Sequence, residues 1–250
     1  MRIARSSIWA VFVIWVWPLA VATAEDDPTG EAHFQAARAH LLEGRPQMAL
    51  REFEAAVDKD KKNPYFRKGL GVTYLRLNQP GKAVEELREA LKLNPYYVDV
   101  RHDLGTALIL LGKREEGKQE FMIAFNDPTN PTPEIAAANL GRAHFEERNY
   151  VQALSWYRTA VGRNKGFAEA HLGIADCLTA LGRPDEAIAQ LEIGLQEVPD
   201  NPALMLALGE ALYRAGRLSE ARERLEATAS KDPGGPSGHR AAQLLQAFPK

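Results

Sequence analysis

The chain has 250 residues, 45% of them hydrophobic and 26% charged, with 31 basic against 33 acidic side chains. That is an ordinary globular composition, and a slightly acidic balance without a basic stripe argues against nucleic acid as a partner and offers no attraction to anionic lipid headgroups. The one cysteine, Cys177, excludes an intrachain disulfide.

The first element is a leader. Arg2 and Arg5 precede an apolar run from Ile8 to Trp17, Pro18 interrupts it, and Ala22-Thr23-Ala24 closes it with small residues. This layout predicts a secretory signal peptide over 1–24, cleaved after Ala24. With its internal proline, the apolar stretch lies at the lower limit for a membrane span, so no direct anchor is expected after cleavage. The mature chain then carries 29 basic and 33 acidic residues, a net charge of −4. No cysteine near Ala24 is available for a lipid. Residues 25–29 form a short acidic lead-in.

From residue 30 a 34-residue period takes over. Leu70-Gly71-x-x-Tyr74, Ala83, Leu87, Ala90 and Pro95 recur as Leu104-Gly105-x-x-Leu108, Gly117, Phe121 and Ala124, and as Leu140-Gly141-x-x-His144, Ala153, Tyr157 and Ala160. Ala36-Ala37-x-x-His40 begins the series; Ile174-Ala175-x-x-Leu178 and Leu208-Gly209-x-x-Leu212 end it. The pattern resembles the tetratricopeptide repeat, two antiparallel helices per unit. The resemblance implies an all-α, right-handed superhelical solenoid with units at 30–63, 64–97, 98–131, 134–167, 168–201 and 202–235. Residues 236–250 are read as a capping helix and tail, because an open solenoid end leaves its core wet. Gly44, Gly112, Gly182 and Gly216 fall where each first helix must stop, and Pro46 and Pro184 open second helices. Between units three and four two residues are inserted, and three prolines crowd the segment Asp127–Glu134, predicting a stiff elbow with Thr132 capping the next helix.

Chemistry finds little footing. His33 and His171 fall in the large-aromatic slot of the first helix, and His40 and His144 in the tyrosine slot, so they read as packing groups; only His102 is placed in the groove. No cysteine pair or His-x-x-Glu-His string offers zinc its ligands. The serines of the mature chain sit in no nucleophile-elbow pattern, and no phosphate loop or dinucleotide fingerprint occurs. Acidic residues outside the groove read as solvated faces. No catalytic residue, metal or cofactor is expected.

The inward face of the first helices is the candidate binding surface, since residues three and four apart share a helix face. On this register it collects Phe34, Arg38 and Leu41, then Tyr65, Lys68 and Val72, then His102 and Ile109, then Asn139 and Arg142, and last Tyr213. Asp176 and Glu210 make the far end more acidic. Some members of the repeat family clamp a C-terminal carboxylate with Lys, Asn and Arg on consecutive units. Here Val72 and Asp103 stand where that pattern needs asparagine, so the clamp is not expected. Trp156, on a second helix, reads as a lone outer-surface aromatic or a partly packed one.

Asn130-Pro131-Thr132-Pro133-Glu134 through Asn139-Leu140-Gly141-Arg142-Ala143, with Tyr150-x-x-Ala153-Leu154, together with the export signal and six repeats, resembles a narrower group. This is the type IV pilus biogenesis and stability family of PilF/PilW and Tgl-like pilotins. The resemblance implies a non-enzymatic periplasmic scaffold that assists an outer-membrane secretin or another pilus component. The chain departs from that family in lacking the lipidated cysteine after the signal sequence. A general exported adaptor for another envelope assembly, such as cell wall, cytochrome maturation or polysaccharide export, shares the fold without the pilus link.

Overall fold

The computed structural model describes residues 29–248. The export signal read over 1–24 and the cleavage after Ala24 lie outside them. Among the described residues the secondary structure is thirteen helices and no strand. Six pairs follow one another: α1 (Gly30–Leu42) with α2 (Pro46–Lys59), α3 (Pro64–Arg76) with α4 (Pro80–Leu93), α5 (Val98–Leu110) with α6 (Arg114–Asn126), α7 (Pro133–Glu146) with α8 (Tyr150–Arg163), α9 (Ala168–Ala180) with α10 (Pro184–Glu197), and α11 (Pro202–Arg214) with α12 (Leu218–Lys231). A single helix, α13 (Pro236–Gln246), ends the stack.

Local chemistry sets the ends. Proline begins seven of these helices, where its missing N–H costs nothing. Thr29, Asn63 and Asn201 accept hydrogen bonds from backbone N–H groups of the first turns of α1, α3 and α11. Four first helices stop at Gly44, Gly112, Gly182 and Gly216, all with φ between 70° and 85°. In the other two the same left-handed position holds Asn78 (φ 56°) and Arg148 (φ 61°). Asparagine tolerates that region; arginine sits there at a cost.

The elbow departs from expectation in one detail. Thr132 precedes α7 with Pro133 in its first turn, but its side chain makes no cap hydrogen bond. Asn130 orders the approach to the helix instead. Its Nδ2 donates to the Ala124 carbonyl at 2.7 Å while its Oδ1 accepts from the Thr132 N–H at 2.9 Å, and the residue is buried. The elbow is therefore tied back onto the end of α6.

Each first helix packs against its own second helix, and each second helix against the next first helix. The backbones of successive first helices also come close, α1 to α3 and on to α11 with α13, whereas among the described residues second helices keep their backbones apart and reach one another through long side chains, as Arg88 reaches Glu116 and Trp156 reaches Phe125. The layer of first helices is therefore the inner side of a bend, with the second helices fanned outside. Helix α13 takes the place of a seventh first helix and covers α11 and α12. Ala241 and Phe248 are buried there, with Leu244 and Leu245 packed against the same core.

Close approach needs small residues on first helices opposite large ones on second helices. A Cβ at Gly69 would lie 2.2 Å from the Phe53 ring, at Gly105 2.5 Å from Phe121, and at Gly173 2.4 Å from Tyr157. Gly71 and Gly209 similarly leave no room beside Leu87 and Leu225, while the contact at Gly141 is looser, 3.0 Å from Tyr157. Phe53 and Phe121 are 1% exposed, and burying such a side chain is worth about 1.5–3 kcal/mol.

His33 is not the packing group its register suggested. Its Nδ1 lies 2.6 Å from Glu52 Oε2 on α2. Thirty-four residues on, Arg67 meets Glu86 at 2.6 Å, and after another thirty-four Arg101 meets Glu120 at 2.8 Å. These half-buried pairs are three rungs of one ladder, so these glutamates are not simply solvated. His171 does match the packing reading: it is fully buried, with its ring nitrogens bonded to the Lys165 carbonyl at 2.8 Å and Gln190 at 2.7 Å.

Candidate protein-binding groove

The concave face is built by one stripe of each odd-numbered helix, and the side chains there fall into three neighbourhoods. At the first end, Phe34 is half-buried, its ring 5.7 Å from Phe53 and 5.2 Å from Phe66, so it seals the joint between units. Arg38 lies 5.8 Å over that ring and donates to Gln35 at 3.2 Å. Leu41 is half-buried against the same core, and Arg76 reaches across to donate to the Leu41 carbonyl at 3.1 Å.

The second neighbourhood joins α3 and α5. Lys68 Nζ sits 3.1 Å from Asp99 and 3.9 Å from Asp103, with the Tyr97 ring 5.2 Å away. Tyr65 meets Tyr97 edge-on at 5.2 Å and is 54% exposed, so its other side is open to a partner. Burial pushes the Asp103 carboxyl up to about 6, Lys68 opposing and Asp99 adding to the rise. Burial likewise pushes Tyr97 up to about 12. Val72 is half-buried beside this cluster.

The third neighbourhood spans the elbow joint, α5 to α7. His102 is half-buried; burial holds it below the usual histidine range, and its Nε2 has no hydrogen-bond partner. Its Nδ1 lies 3.5 Å from Asn139 Nδ2, and Asn139 Oδ1 accepts from Arg142 at 2.8 Å. Ile109, half-buried, and Leu110, 58% exposed, supply apolar surface beside them. Farther along, burial raises the Asp176 carboxyl, Arg214 opposing. Glu210 accepts from Arg214 at 3.1 Å and Arg240 at 3.2 Å. Tyr213 packs at a tilt against Phe248, ring centroids 4.9 Å apart, so the C-terminal segment already covers part of it.

The structure thus brings Lys68, Tyr65 and His102–Asn139–Arg142 into adjacent clusters, and turns Phe34 and Leu41 largely to the joints. Asp99 and Tyr97 escaped the sequence reading. They lie at the start of α5 and in the loop before it, where only the neighbouring helix reveals them as partners of Lys68. Trp156 is half-buried, edge-on to Phe125 at 5.5 Å. Cys177 is fully buried, and burial pushes its thiol up to about 12, which keeps it unreactive. Among the described residues no group of three or more His, Cys, Asp or Glu is arranged to hold a metal ion.

A stack of helix pairs with an amphipathic inner face and no convergent catalytic set is a helical-repeat protein whose working surface is a groove. The tetratricopeptide repeat model matches residues 34–98, 138–202 and 172–236, and the chain belongs to that family, whose members are generally interaction scaffolds without catalysis. Among curated relatives, DnaJ homolog subfamily C member 3 of Gallus gallus is 27% identical over 205 residues, covering 74% of this chain and 40% of that protein. The chain therefore spans about two fifths of the length of such relatives. Among solved structures, PilW, a type IV pilus biogenesis factor, matches with a TM-score of 0.68 at 21% identity, over 85% of this chain and 98% of that one. PilF of Pseudomonas aeruginosa matches with a TM-score of 0.63 at 21% identity, over 87% and 96%. Identities this low speak for the fold alone.

Proposed function

We propose that this chain is a non-enzymatic scaffold of the bacterial periplasm that binds a secretin or another type IV pilus component in its concave groove. The observation that carries the reading is the extent of the likeness to PilW and PilF: nearly the whole of each is spanned by this chain. The leader over 1–24 supports export, and the absence of a nearby cysteine favours a soluble form over a lipid-tethered one. The groove suits the task, since exposed aromatic and arginine side chains are the residue types that carry binding energy at interfaces.

Tagged full-length protein, expressed in its native host and purified from the envelope fraction, tests this directly. Mass spectrometry of the recovered material is expected to find a secretin or pilus subunit, and N-terminal sequencing a chain starting at Glu25. Recovery of a cell-wall, cytochrome-maturation or polysaccharide-export complex instead would assign the same scaffold to another envelope assembly. A full-length chain confined to the cytoplasm would sink both.

A further inference from the structure

The joint between α5 and α7 holds a cavity of about 270 Å³, lined by Thr106, Ile109, Phe121, Ala143, Glu146 and Arg142. Small-molecule pockets run from roughly 300 Å³ upward, so this one fits a single large side chain better than a free ligand. The lining is apolar where the side chains of Ile109, Ala143 and the buried Phe121 meet. Its charged members are not equivalent. Glu146 has Arg114 3.9 Å away. Arg142 has no carboxylate within 4.0 Å among the described residues; its guanidinium donates to Asn139. A guanidinium carries five N–H donors, so Asn139 orients it and leaves most of them for another acceptor.

The same holds along the groove. Arg38 contacts Gln35 and the Phe34 ring, and Arg76 a backbone carbonyl; neither has a carboxylate partner among the described residues. Between them Lys68 is answered by Asp99 and Asp103. An exposed cation without a paired acid also occurs on a second helix, Arg51, but these three share the concave face. The chain as a whole is acidic, so a carboxylate-bearing partner gains nothing from its net charge and must be held by these groups at short range.

We infer that the groove takes an extended protein segment in which carboxylates flank one bulky apolar side chain, that side chain entering the cavity between α5 and α7 and a carboxylate meeting Arg142. The inference rests on the groove being the binding surface. Paired N–H groups of arginine match a carboxylate in both charge and geometry. The apolar side chain gives register along a surface that charge alone would leave slippery.

A library of random 12-residue peptides displayed on phage and panned against the full chain at low salt tests it, followed by fluorescence anisotropy on the enriched peptides. Enrichment of Asp or Glu around Leu, Ile or Phe is the expected result. Arg142→Glu should weaken an enriched peptide at least tenfold, and Arg142→Lys, which keeps the charge but loses the paired donors, by less than that, both with an unchanged circular dichroism melt. Filling the cavity with Thr106→Trp should cost as much as changing the peptide's apolar residue to Ala, and the two changes together little more. Enrichment of basic or uncharged peptides, no enrichment, or indifference to Arg142→Glu would each overturn the inference. Capture of an envelope partner alongside such a failure would leave the scaffold reading standing and remove only this account of what the groove holds.

Discussion

The halves of the solenoid on either side of the elbow are held together differently. From α1 to α5 the helices share one apolar core, and each of the first three pairs adds a half-buried polar rung: His33–Glu52, Arg67–Glu86 and Arg101–Glu120. From α7 onward a separate, larger core runs through to Phe248, and the equivalent positions are Ala137 with Trp156 and His171 with Gln190. A small third cluster of Val98, Ala124 and Ala136 lies between them, next to where Asn130 ties the elbow down. One backbone plan thus tolerates either ion pairs or apolar and neutral contacts at the same rung. What both halves keep is the small residue opposite the large one, because two helices cannot approach closely around two bulky side chains.

That invariant is where the comparison breaks most sharply. Gly173→Leu and Gly69→Leu should each cost about 3 kcal/mol or more, since their first carbon already collides with the Tyr157 or Phe53 ring. Gly81→Leu, where nothing lies within 4 Å, should cost nothing. Urea melts of the three variants decide it. Equal losses at all three would mean that glycine matters for the helices and not for their packing.

The rungs come next. Arg101→Met should destabilise by about 1–2 kcal/mol, because it leaves Glu120 half-buried without its partner. A double-mutant cycle with Glu120→Gln should return a coupling near 1 kcal/mol, whereas a cycle on His171 and Gln190, which never pair charges, should give less.

Asp103 gives the first half a pH dependence. Its carboxyl keeps its proton up to about 6 in the fold, against 3.8 ordinarily. Between those values the folded chain binds more protons than the unfolded one, so this group's contribution to stability falls as pH rises through the window and is least favourable above it. Asp103→Asn should therefore stabilise at pH 7.5 by on the order of 1 kcal/mol, the shift being discounted for partial exposure, and gain nothing near pH 4. Burial lowers His144 and His102, which gives the opposite slope: stability lost as pH falls through the histidine range. Melts of the Asn variant across pH 4–8 should expose that slope. An unchanged profile would show that Asp103 is better solvated than its surroundings imply.

The smallest effect belongs to the turns. Arg148→Gly, relieving a left-handed arginine, should add about 0.5–1 kcal/mol, and Gly112→Arg should lose a similar amount. Thermal melts of the pair resolve it.

The number, order and pairing of the helices were legible in the chain, because a 34-residue period of small and large apolar residues specifies which faces must be buried. The glycine stops were legible for the same local reason, with Asn78 and Arg148 the exceptions that only backbone angles reveal. Polar partners were not. His33 looked like a packing group because its slot usually holds one, and nothing local announces that Glu52 waits on the next helix. Thr132 looked like a cap because threonine often is, yet Asn130 was better placed to reach both the preceding carbonyl and the following N–H.

By itself, then, the order of residues determined that this is a stack of helix pairs with an amphipathic inner face, since periodicity is a property of neighbours along the chain. Only the tertiary structure decided which groove charges are already answered, as Lys68 is, and which are left open, as Arg142 is. That depends on distances between helices roughly thirty residues apart, which the packing of small against large side chains sets and no local pattern records.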